Sequence, residues 1–442
     1  MPTDESHPLL KSEPIDRLVN PLVRFLHVEI AGGVALLAAT AAALLLANSP
    51  LAAAADHFWM TPLGIDAGSF QLRMTLEHWI DDGLMTIFFF VVGLEVKREL
   101  VLGELRDVRR AMLPIAAAIG GMIAPACIYL ALQQGQPGQR GWGIPMATDI
   151  AFVVGCMAIL GRRVPHGLRV MVLSLAIVDD IGAILVIAVG YSNGIRMAWL
   201  AAGLLGIVAV YGCTKLGIRR NRVYVVLGCL IWLAFYRSGV HAAIVGVVLG
   251  LMTPARSYVS PQRFTRILQR AMELLGRGGW ETEPQRAEKV RRFQWAARET
   301  IPPLEYLEAT LHPWVALAIM PIFALANAGV EIHATDLGKP VAVAVMLGLL
   351  LGKPAGIVLA SFLAVKAGWA RLPEHVGWAM ITAGGALSGI GFTMALFIGS
   401  LAFEGEPLAM AKIGVLVGSL LSAVAGSILI ALFARRAHDG PR

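Results

Sequence analysis

Long apolar stretches separated by short polar segments recur along the whole chain. A helix of about 20 apolar residues is long enough to cross the hydrocarbon core of a bilayer. Twelve stretches approach this length, although several are short, and the pattern predicts an all-α polytopic membrane protein with about 12 transmembrane helices. They are Ile30–Leu46, Leu76–Leu94, Met112–Leu132, Trp142–Leu160, Val170–Tyr191, Met197–Thr214, Val223–Phe235, Gly239–Met252, Trp314–Ala328, Val341–Val365, Val376–Phe403 and Leu408–Phe433.

The composition agrees with this fold class. Of the 442 residues, 57% are hydrophobic and 15% are charged, whereas soluble domains have about 25% charged residues. The four cysteines lie singly inside apolar stretches, which indicates packing rather than a disulfide framework or a zinc site. The first 20 residues lack the basic start and apolar core of a cleaved signal peptide, so we expect the first span to be retained.

Basic residues alternate between the two sides of the predicted spans. The loops after even-numbered spans carry two to ten Lys and Arg, and those after odd-numbered spans carry one each. Because Lys and Arg remain on the cytoplasmic side, both termini are expected there. The net charge of +7 is then mostly a topological signal, and no nucleic-acid partner is expected.

The chain is expected to divide into segments on this basis. They are a cytoplasmic N-terminal segment (1–29), spans one to eight (30–252), a cytoplasmic basic loop (253–311), spans nine to twelve (312–434) and a cytoplasmic tail (435–442). Inside the basic loop, 261–275 favours a surface-lying helix, followed by a mobile linker at Gly276–Gly279.

The segment at about 61–76 predicts a short external β-hairpin. An Asp66–Ser69 turn with alanine and glycine at its centre is flanked by apolar residues on both sides.

Two of the predicted spans are interrupted by glycine and proline. Gly141, Gly143 and Pro145 precede Thr148 and Asp149 in span four, and four glycines punctuate Gly384–Gly391 in span eleven. Since these spans lie an odd number apart, spans 3–5 and 10–12 are predicted to be inverted repeats with discontinuous crossing helices, a sign of a transporter site. Close helix packing is the alternative explanation for any single glycine pair.

Two adjacent carboxylates, Asp179 and Asp180, lie halfway along an apolar stretch of membrane-spanning length. Ionisable groups at that depth cost several kcal/mol unless they face water or a partner. Lys353 lies at the centre of another apolar stretch and needs an ion pair with a carboxylate at its depth, for which Asp179, Asp180 and Asp149 are candidates. A purely structural bridge would explain only one of the two adjacent aspartates.

Asp149 follows Thr148 and Pro145 in the composition of a helix start, where an aspartate acts as an ordinary cap. In a broken transmembrane helix, the same carboxylate would compensate the partial positive charge of helix N-termini. At the C-terminal ends of the broken helices, the positive charge of Lys353 would compensate the partial negative charge.

Other charged residues lie near span ends. Glu95, Arg98 and Glu99 share one helix face by their i, i+3, i+4 spacing, so their titrations would be coupled, although a solvated anchor is the commoner role. Asp81 and Asp82 either line an entry funnel or form a solvated helix end.

A carboxylate pair in a wet cavity can hold protons or a hard cation, but not both, so it couples two fluxes. This chemistry predicts cation/proton exchange. Two protons exchanged per monovalent cation would make the cycle electrogenic.

Several motifs resemble those of the NhaA sodium/proton antiporters of bacterial inner membranes, in order and along nearly the whole chain. They are Phe90–Leu100 (FVVGLEVKREL), Ala147–Phe152 (ATDIAF), Val178–Ala183 (VDDIGA), Leu311–Trp314 (LHPW), Phe323–Gly329 (FALANAG), Gly352–Pro354 (GKP) and Gly389–Met394 (GIGFTM).

The resemblance implies electrogenic exchange of Na+ or Li+ for H+ without a cofactor, with Asp180 as the principal ion ligand beside Asp179. It implies that Lys353 pairs with Asp179 and that Thr148 and Asp149 lie where the broken helices cross. It also implies a pH-responsive cluster and a homodimer formed in the membrane lipid through the hairpin. The residues of that cluster are Glu95, Arg98, Glu99 and Glu308. The family often has histidine where Ala309 stands, and the loop before Glu308 is longer than usual, which affects the pH set-point.

Two other functional classes, an intramembrane protease and a cation channel, fit the sequence less well. An intramembrane aspartyl protease would use a carboxylate dyad, but such dyads arise from separate segments, and the chain has no His-Glu-x-x-His motif. A cation channel would need no proton coupling, and Lys353 argues against an open cation pore.

Overall fold

A computed structural model describes residues 28–67, 70–192, 194–218, 220–257, 300–374 and 376–438, with isolated positions at 265, 266, 269 and 291. Most of these residues are helical. The α-helices are α1 (Val28–Ala47), α2 (Ala52–Trp59), α3 (Met85–Val101), α4 (Val108–Leu132), α5 (Ile150–Leu160), α6 (His166–Gly190), α7 (Met197–Lys215), α8 (Asn221–Ser238), α9 (Ala243–Met252), α10 (Pro303–Asn327), α11 (Pro340–Lys366), α12 (Trp378–Ser388), α13 (Phe392–Ala402) and α14 (Glu406–His438).

Each predicted apolar stretch coincides with a helix or a broken helix. Within the described residues, six helices are long and apolar enough to cross a membrane, and up to nine spans result if each bent pair counts as one. The chain therefore has the form of a multi-pass membrane protein. The count of twelve spans stays a prediction because some helices are short, such as α9 with 10 residues.

Strands β1 (Pro62–Ala67) and β2 (Phe70–Thr75) form an antiparallel hairpin, with Ala67 opposite Phe70. This confirms the predicted short hairpin. Two further turns, Leu76–His78 and the π-helical Trp79–Leu84, connect it to α3. We call this end of the molecule the hairpin end, and the end where α3 finishes the basic end.

Two predicted interruptions coincide with bends in the chain. A 3₁₀ helix, Pro137–Met146, meets α5 at an angle of 44°, and α12 meets α13 at 47°. Proline has no N–H, and glycine is a poor helix former, so both breaks fall where intrahelical bonds are weakest. Each broken helix lies in sequence between two long helices.

Close approach between helices depends on glycine. A side chain at Gly120 of α4 would lie 2.2 Å from the carbonyl oxygen of Gly356 in α11. Gly246 of α9 lies similarly against the carbonyl oxygen of Thr86 in α3. Small residues allow membrane helices to pack tightly where the hydrophobic effect does not drive them together. Among the helices that the structure describes, α4 and α11 pack against each other most extensively.

Two boundaries differ from the sequence prediction. The helix predicted from Trp314 begins at Pro303, inside the expected loop 253–311, because Glu305 and Glu308 interrupt the apolar residues of its first two turns. Gly239 ends α8 in the left-handed conformation, with φ of 82°, and does not begin the next helix. The predicted surface helix 261–275, its linker and the segment 1–27 lie outside the described residues, apart from positions 265, 266 and 269.

The apolar core is continuous through most of the bundle, and a smaller cluster joins α7, α8 and α9. The four cysteines are free thiols, of which Cys127 and Cys229 are exposed and Cys156 and Cys213 are partly buried.

Candidate functional site

Two carboxylates and one amine lie together in the centre of the bundle. Asp179 and Asp180 of α6 are 0% and 2% exposed, and Lys353 of α11 is 0% exposed. The Lys353 Nζ atom lies 2.9 Å from Asp179 Oδ2. Of the three partners that the sequence left open for Lys353, the structure therefore pairs it with Asp179. All three groups are sealed from bulk water in this conformation.

The backbone around Lys353 sets its position. The preceding turn, Gly348–Gly352, is π-helical, which rotates the following residues relative to a regular helix. Gly352 and Gly348 lie against Pro125 and Pro145, where a Cβ atom would clash. Lys353 Nζ also donates to the carbonyl oxygen of Met146, the last residue of the 3₁₀ helix. The amine thus lies at a C-terminal helix end.

The two broken helices cross beside this ion pair. The N–H of Asp149 donates to the carbonyl oxygen of Ile390 at 2.7 Å, which joins the two breaks directly. The Thr148 hydroxyl lies within hydrogen-bond distance of Asp179 Oδ2 at 2.6 Å and of the Ser388 carbonyl oxygen at 3.1 Å. Thr148 therefore links α6 to the end of α12.

Asp149 accepts hydrogen bonds from the starts of both second half-helices. Its Oδ1 atom accepts from the N–H of Phe152 in α5 at 3.1 Å. Its Oδ2 atom accepts from the N–H of Thr393 in α13 at 3.1 Å and from the Thr393 hydroxyl. One buried carboxylate therefore satisfies donors at two helix N-termini, where the partial charge is positive. A second polar group, the Ser419 hydroxyl of α14, accepts from the N–H of Phe392.

Two carboxylate oxygens at the centre remain without a protein partner. Asp179 Oδ1 and Asp180 Oδ1 are buried and have no hydrogen-bond partner among the described residues. Buried polar atoms are nearly always satisfied, so such pairs indicate a proton, an ion or water at the site. Two adjacent buried carboxylates are balanced here by the single amine of Lys353. A cation or a proton is therefore favoured there.

The charged residues at the basic end also come together. Arg98 Nη1 of α3 lies 2.6 Å from Glu308 Oε1 of α10. Glu99 Oε1 accepts from the N–H of Glu104 at 3.0 Å, and Glu95 Oε1 lies 3.9 Å from His312 Nε2. The four residues of the expected pH-responsive cluster thus occupy one region that joins α3 to α10.

An aromatic cluster joins α3 and α13 near the start of α9. The buried Phe397 ring of α13 lies 5.5 Å from the Phe89 ring of α3 and 5.3 Å from the His241 ring, between centroids. His241 Nε2 is also 3.5 Å from Asp82 Oδ1. The cluster thus packs α13 against α3 and against the residues before α9.

Comparisons with known proteins cover nearly the whole chain. A sequence profile of the family described as Na+/H+ antiporter 1 matches residues 23–430. The chain belongs to this family. The members that it resembles include the Na(+)/H(+) antiporter NhaA of Rhodopirellula baltica, 54% identical over 421 residues that cover 95% of this chain and 96% of that protein.

Two further relatives in the Na+/H+ antiporter 1 family are almost as similar. The Na(+)/H(+) antiporter NhaA 1 of Acidiphilium cryptum is 51% identical and covers 97% of this chain and 95% of its own length. The Na(+)/H(+) antiporter NhaA of Rhizobium meliloti is 51% identical, with 96% and 97% covered.

Several groups at the site of this family member have no role that their sequence predicts. They are the Thr393 hydroxyl and N–H and the carbonyl oxygens of Ser388, Met146 and Ile390. Backbone groups have no signature in an amino-acid sequence. The glycines that interrupt spans four and eleven were the available signal, because a broken helix leaves backbone groups free.

Proposed function

We propose that the chain exchanges Na+ or Li+ for protons across the bacterial inner membrane, electrogenically and under control of pH. The names of its relatives support Na+ and H+ as the exchanged ions. The observation that carries the proposal is the pair of unpartnered oxygens, Asp179 Oδ1 and Asp180 Oδ1. Carboxylate oxygens are the ligands that hard cations prefer, and the same oxygens bind protons. Na+ and H+ therefore compete for one site.

In this mechanism Asp180 is the principal ligand for the transported ion, and Asp179 lies beside it. Lys353 balances the charge of Asp179 through their 2.9 Å contact. When Na+ binds, protons leave the aspartates or Lys353. When protons return, Na+ is released. A cycle that moves two protons for each Na+ transfers net charge and is driven by about 2.3 kcal/mol per charge for each 100 mV.

Asp149 and Thr148 serve to stabilise the crossing of the broken helices. Asp149 accepts from the N-termini of α5 and α13. Lys353 and Thr148 contact the carbonyl oxygens of Met146 and Ser388, at C-terminal ends. These contacts compensate helix dipoles of both signs in a region without bulk water.

Alternating access is supported by the burial of the central groups, because a sealed site must open to each side in turn. The moving unit would be the pair of inverted repeats, spans 3–5 and 10–12, within a total of twelve spans. Each proposed repeat has the same order of a long helix, a broken helix and a long helix. Lys and Arg on alternate loops favour cytoplasmic termini and place the hairpin outside.

The residues Glu95, Arg98, Glu99 and Glu308 are proposed to set the pH response. They lie at the basic end, which is cytoplasmic in this topology, and Glu95 acts electrostatically on Asp180. The hairpin is proposed to support a homodimer in the lipid bilayer, since a two-stranded sheet has free edges and is marginally stable alone.

The direct test uses everted membrane vesicles that hold an acid interior, monitored by fluorescence quenching. Addition of Na+ or Li+ should dissipate the pH gradient for the unaltered chain and not for Asp180→Asn. Glu374→Gln, a change at an exposed loop position, is the matched control. A gradient that Na+ leaves intact would refute exchange.

A second measurement addresses competition. Calorimetric titration of the purified protein with Na+, in buffers of different ionisation enthalpy, counts the protons released per ion. Release near two supports electrogenic exchange, and release of none refutes a shared site. A channel would show flux indifferent to pH, and an intramembrane protease would cleave a membrane peptide in an Asp179-dependent way.

A further inference from the structure

A charged cavity of about 560 Å³ opens at the hairpin end. It lies between α1, α2, the turn before α3, the end of α10 and the start of α14. Five carboxylates line it, which are Asp56, Glu77, Glu331, Asp336 and Glu406. The basic groups of its wall are two lysines and one histidine, so the cavity carries a negative charge that attracts cations.

Part of this charge is already neutralised at the rim. Lys339 Nζ lies 2.9 Å from Asp336 Oδ1 and 2.8 Å from Glu406 Oε1. These contacts raise the pKa of Lys339 and lower that of Asp336, so both stay charged and paired. His333 approaches Glu331 at 3.7 Å. The other charged residues of the wall are Asp56, Glu77 and Lys412.

A further carboxylate lies close to Glu77 in the chain. Asp81 follows Glu77 by four residues and is within electrostatic range of Glu77, Asp82 and Lys412. Its Oδ1 atom accepts a hydrogen bond from Asn327 Nδ2 at 2.7 Å. The Asp81 side chain is half-buried, and it lies next to the cavity wall rather than in it.

Asn327 provides independent evidence for a ligand. Its side chain is 0% exposed, and its Oδ1 atom has no hydrogen-bond partner among the described residues. A buried amide oxygen without a partner is rare. The Asn327 amide already contacts Asp81 through Nδ2. A rotation about its Cβ–Cγ bond would exchange Nδ2 and Oδ1 and present the oxygen to a cation held by Asp81. Without a cation, Nδ2 donates to the carboxylate instead.

We propose that Glu77, Asp81 and the side-chain oxygen of Asn327 form a second cation site, at which Na+ or Li+ binds in transit on the hairpin side of the molecule. The inference rests on the proposed exchange function and adds a site to it. We call it the transit site, and it shares no residue with the central pair Asp179 and Asp180.

The chemistry of the transit site fits a monovalent, partly hydrated cation. Two carboxylates and one amide oxygen leave several coordination positions to water. The described part of the chain holds no group of three His, Cys, Asp or Glu residues arranged to bind a metal ion. Lys412 compensates part of the negative charge, so binding is weak, as release to the outside requires.

The test measures apparent KM for Na+ separately at the two faces. Right-side-out vesicles with an acid interior take up sodium-22 from the hairpin side, and everted vesicles take it up from the basic side. Asp81→Asn and Glu77→Gln should raise KM at the hairpin side by about three- to tenfold, the range for loss of one negative charge beside a partly hydrated ion in a surrounding of high dielectric constant. KM at the basic side should change less than about twofold by the same reasoning.

Lys412→Gln provides the opposite change, because removal of a positive charge should lower KM at the hairpin side. A variant that only damages the fold cannot tighten binding. Glu404→Gln is the matched control, since Glu404 is an exposed carboxylate near the start of α14 that does not line the cavity. It should leave both KM values unchanged.

Three results would overturn the transit site while exchange itself persists. They are equal KM changes at both faces for Asp81→Asn, a change in maximal rate alone, or a rise in KM for Lys412→Gln. Loss of the proposed function has a different signature, in which the unaltered chain takes up no sodium-22 or Asp180→Asn behaves like it.

Discussion

The carboxylate of Asp149 accepts a hydrogen bond from the backbone N–H of Thr393, 244 positions away in the sequence. The same carboxylate accepts from Phe152, three positions away. One side chain thus caps two half-helices that belong to different broken helices. The crossing is consequently held by a charge as well as by packing, and loss of that charge affects both helices together.

Substitution of Asp149 should reveal this double role. Loss of a helix N-cap costs about 0.5–2 kcal/mol, so Asp149→Ala should cost roughly twice the effect of a single cap. Asp149→Asn keeps one side-chain oxygen and should be intermediate. Thermal unfolding in detergent measures the order, and exchange in everted vesicles should follow it. An alanine variant as stable as the asparagine variant would contradict the capping role.

The Lys353–Asp179 pair makes a prediction about pH. Removal of one partner of a buried ion pair costs about 3–5 kcal/mol. In Lys353→Ala the isolated Asp179 carboxylate escapes this cost by taking up a proton, which is easier at low pH. The loss of stability should therefore be largest at high pH and shrink as the pH falls.

The double variant Lys353→Ala/Asp179→Asn is the control for this pair. It removes both charges, so most of the stability that Lys353→Ala loses should return. The small loss that remains should no longer depend on pH. Melting temperatures between pH 5 and pH 9 would test both points. A loss that is the same at every pH would show that Lys353 matters through packing and not through its charge.

The sequence was sufficient to find Asp179, Asp180 and Lys353, because a charge in the middle of an apolar stretch is expensive and therefore conspicuous. It could not choose among the three partners of Lys353, since partner choice depends on how helices rotate against each other. The π-helical turn before Lys353 sets such a rotation, and its sequence of glycine and leucine is compatible with a regular helix.

The remaining site groups were less predictable for a related reason. Thr393 contributes a hydroxyl and an N–H, and threonine is common in transmembrane helices, so its presence alone carries no signal. Asn327 stood out in no pattern either, because only its burial with an unpartnered oxygen makes it unusual.

Helix packing gives a prediction that is independent of ion chemistry. Gly120→Ala would place a methyl group 2.2 Å from the Gly356 carbonyl oxygen, where only backbone movement can relieve the clash. Overpacking of this kind costs about 1–3 kcal/mol. Gly212→Ala in α7 is the matched control, because its methyl group meets nothing within 4 Å. Alanine is the better helix former, so that variant should be neutral or slightly more stable, and equal melting temperatures for both variants would contradict the packing.

The Arg98–Glu308 pair predicts shifts of the pH profile in opposite directions. Arg98 is 47% exposed in its side chain, and exposed pairs contribute about 0–1 kcal/mol, so stability should change little. Arg98→Gln makes the cluster of Glu95, Arg98, Glu99 and Glu308 more negative, which attracts protons to this region, so half-maximal exchange should move to higher pH. Glu308→Gln leaves the positive charge of Arg98 unopposed, which should move half-maximal exchange to lower pH.

Each shift should be about half a pH unit to one unit, as expected for one charge roughly 6 Å away near a hydrated surface. Exchange rates in everted vesicles, measured at saturating Na+ over a series of pH values, give the two midpoints. The charge swap Arg98→Glu/Glu308→Arg keeps the net charge and should return the midpoint toward that of the unaltered chain. If both single variants moved the midpoint in the same direction, charge at this cluster would not control the response, and a change in the packing of α3 against α10 would explain the effect better.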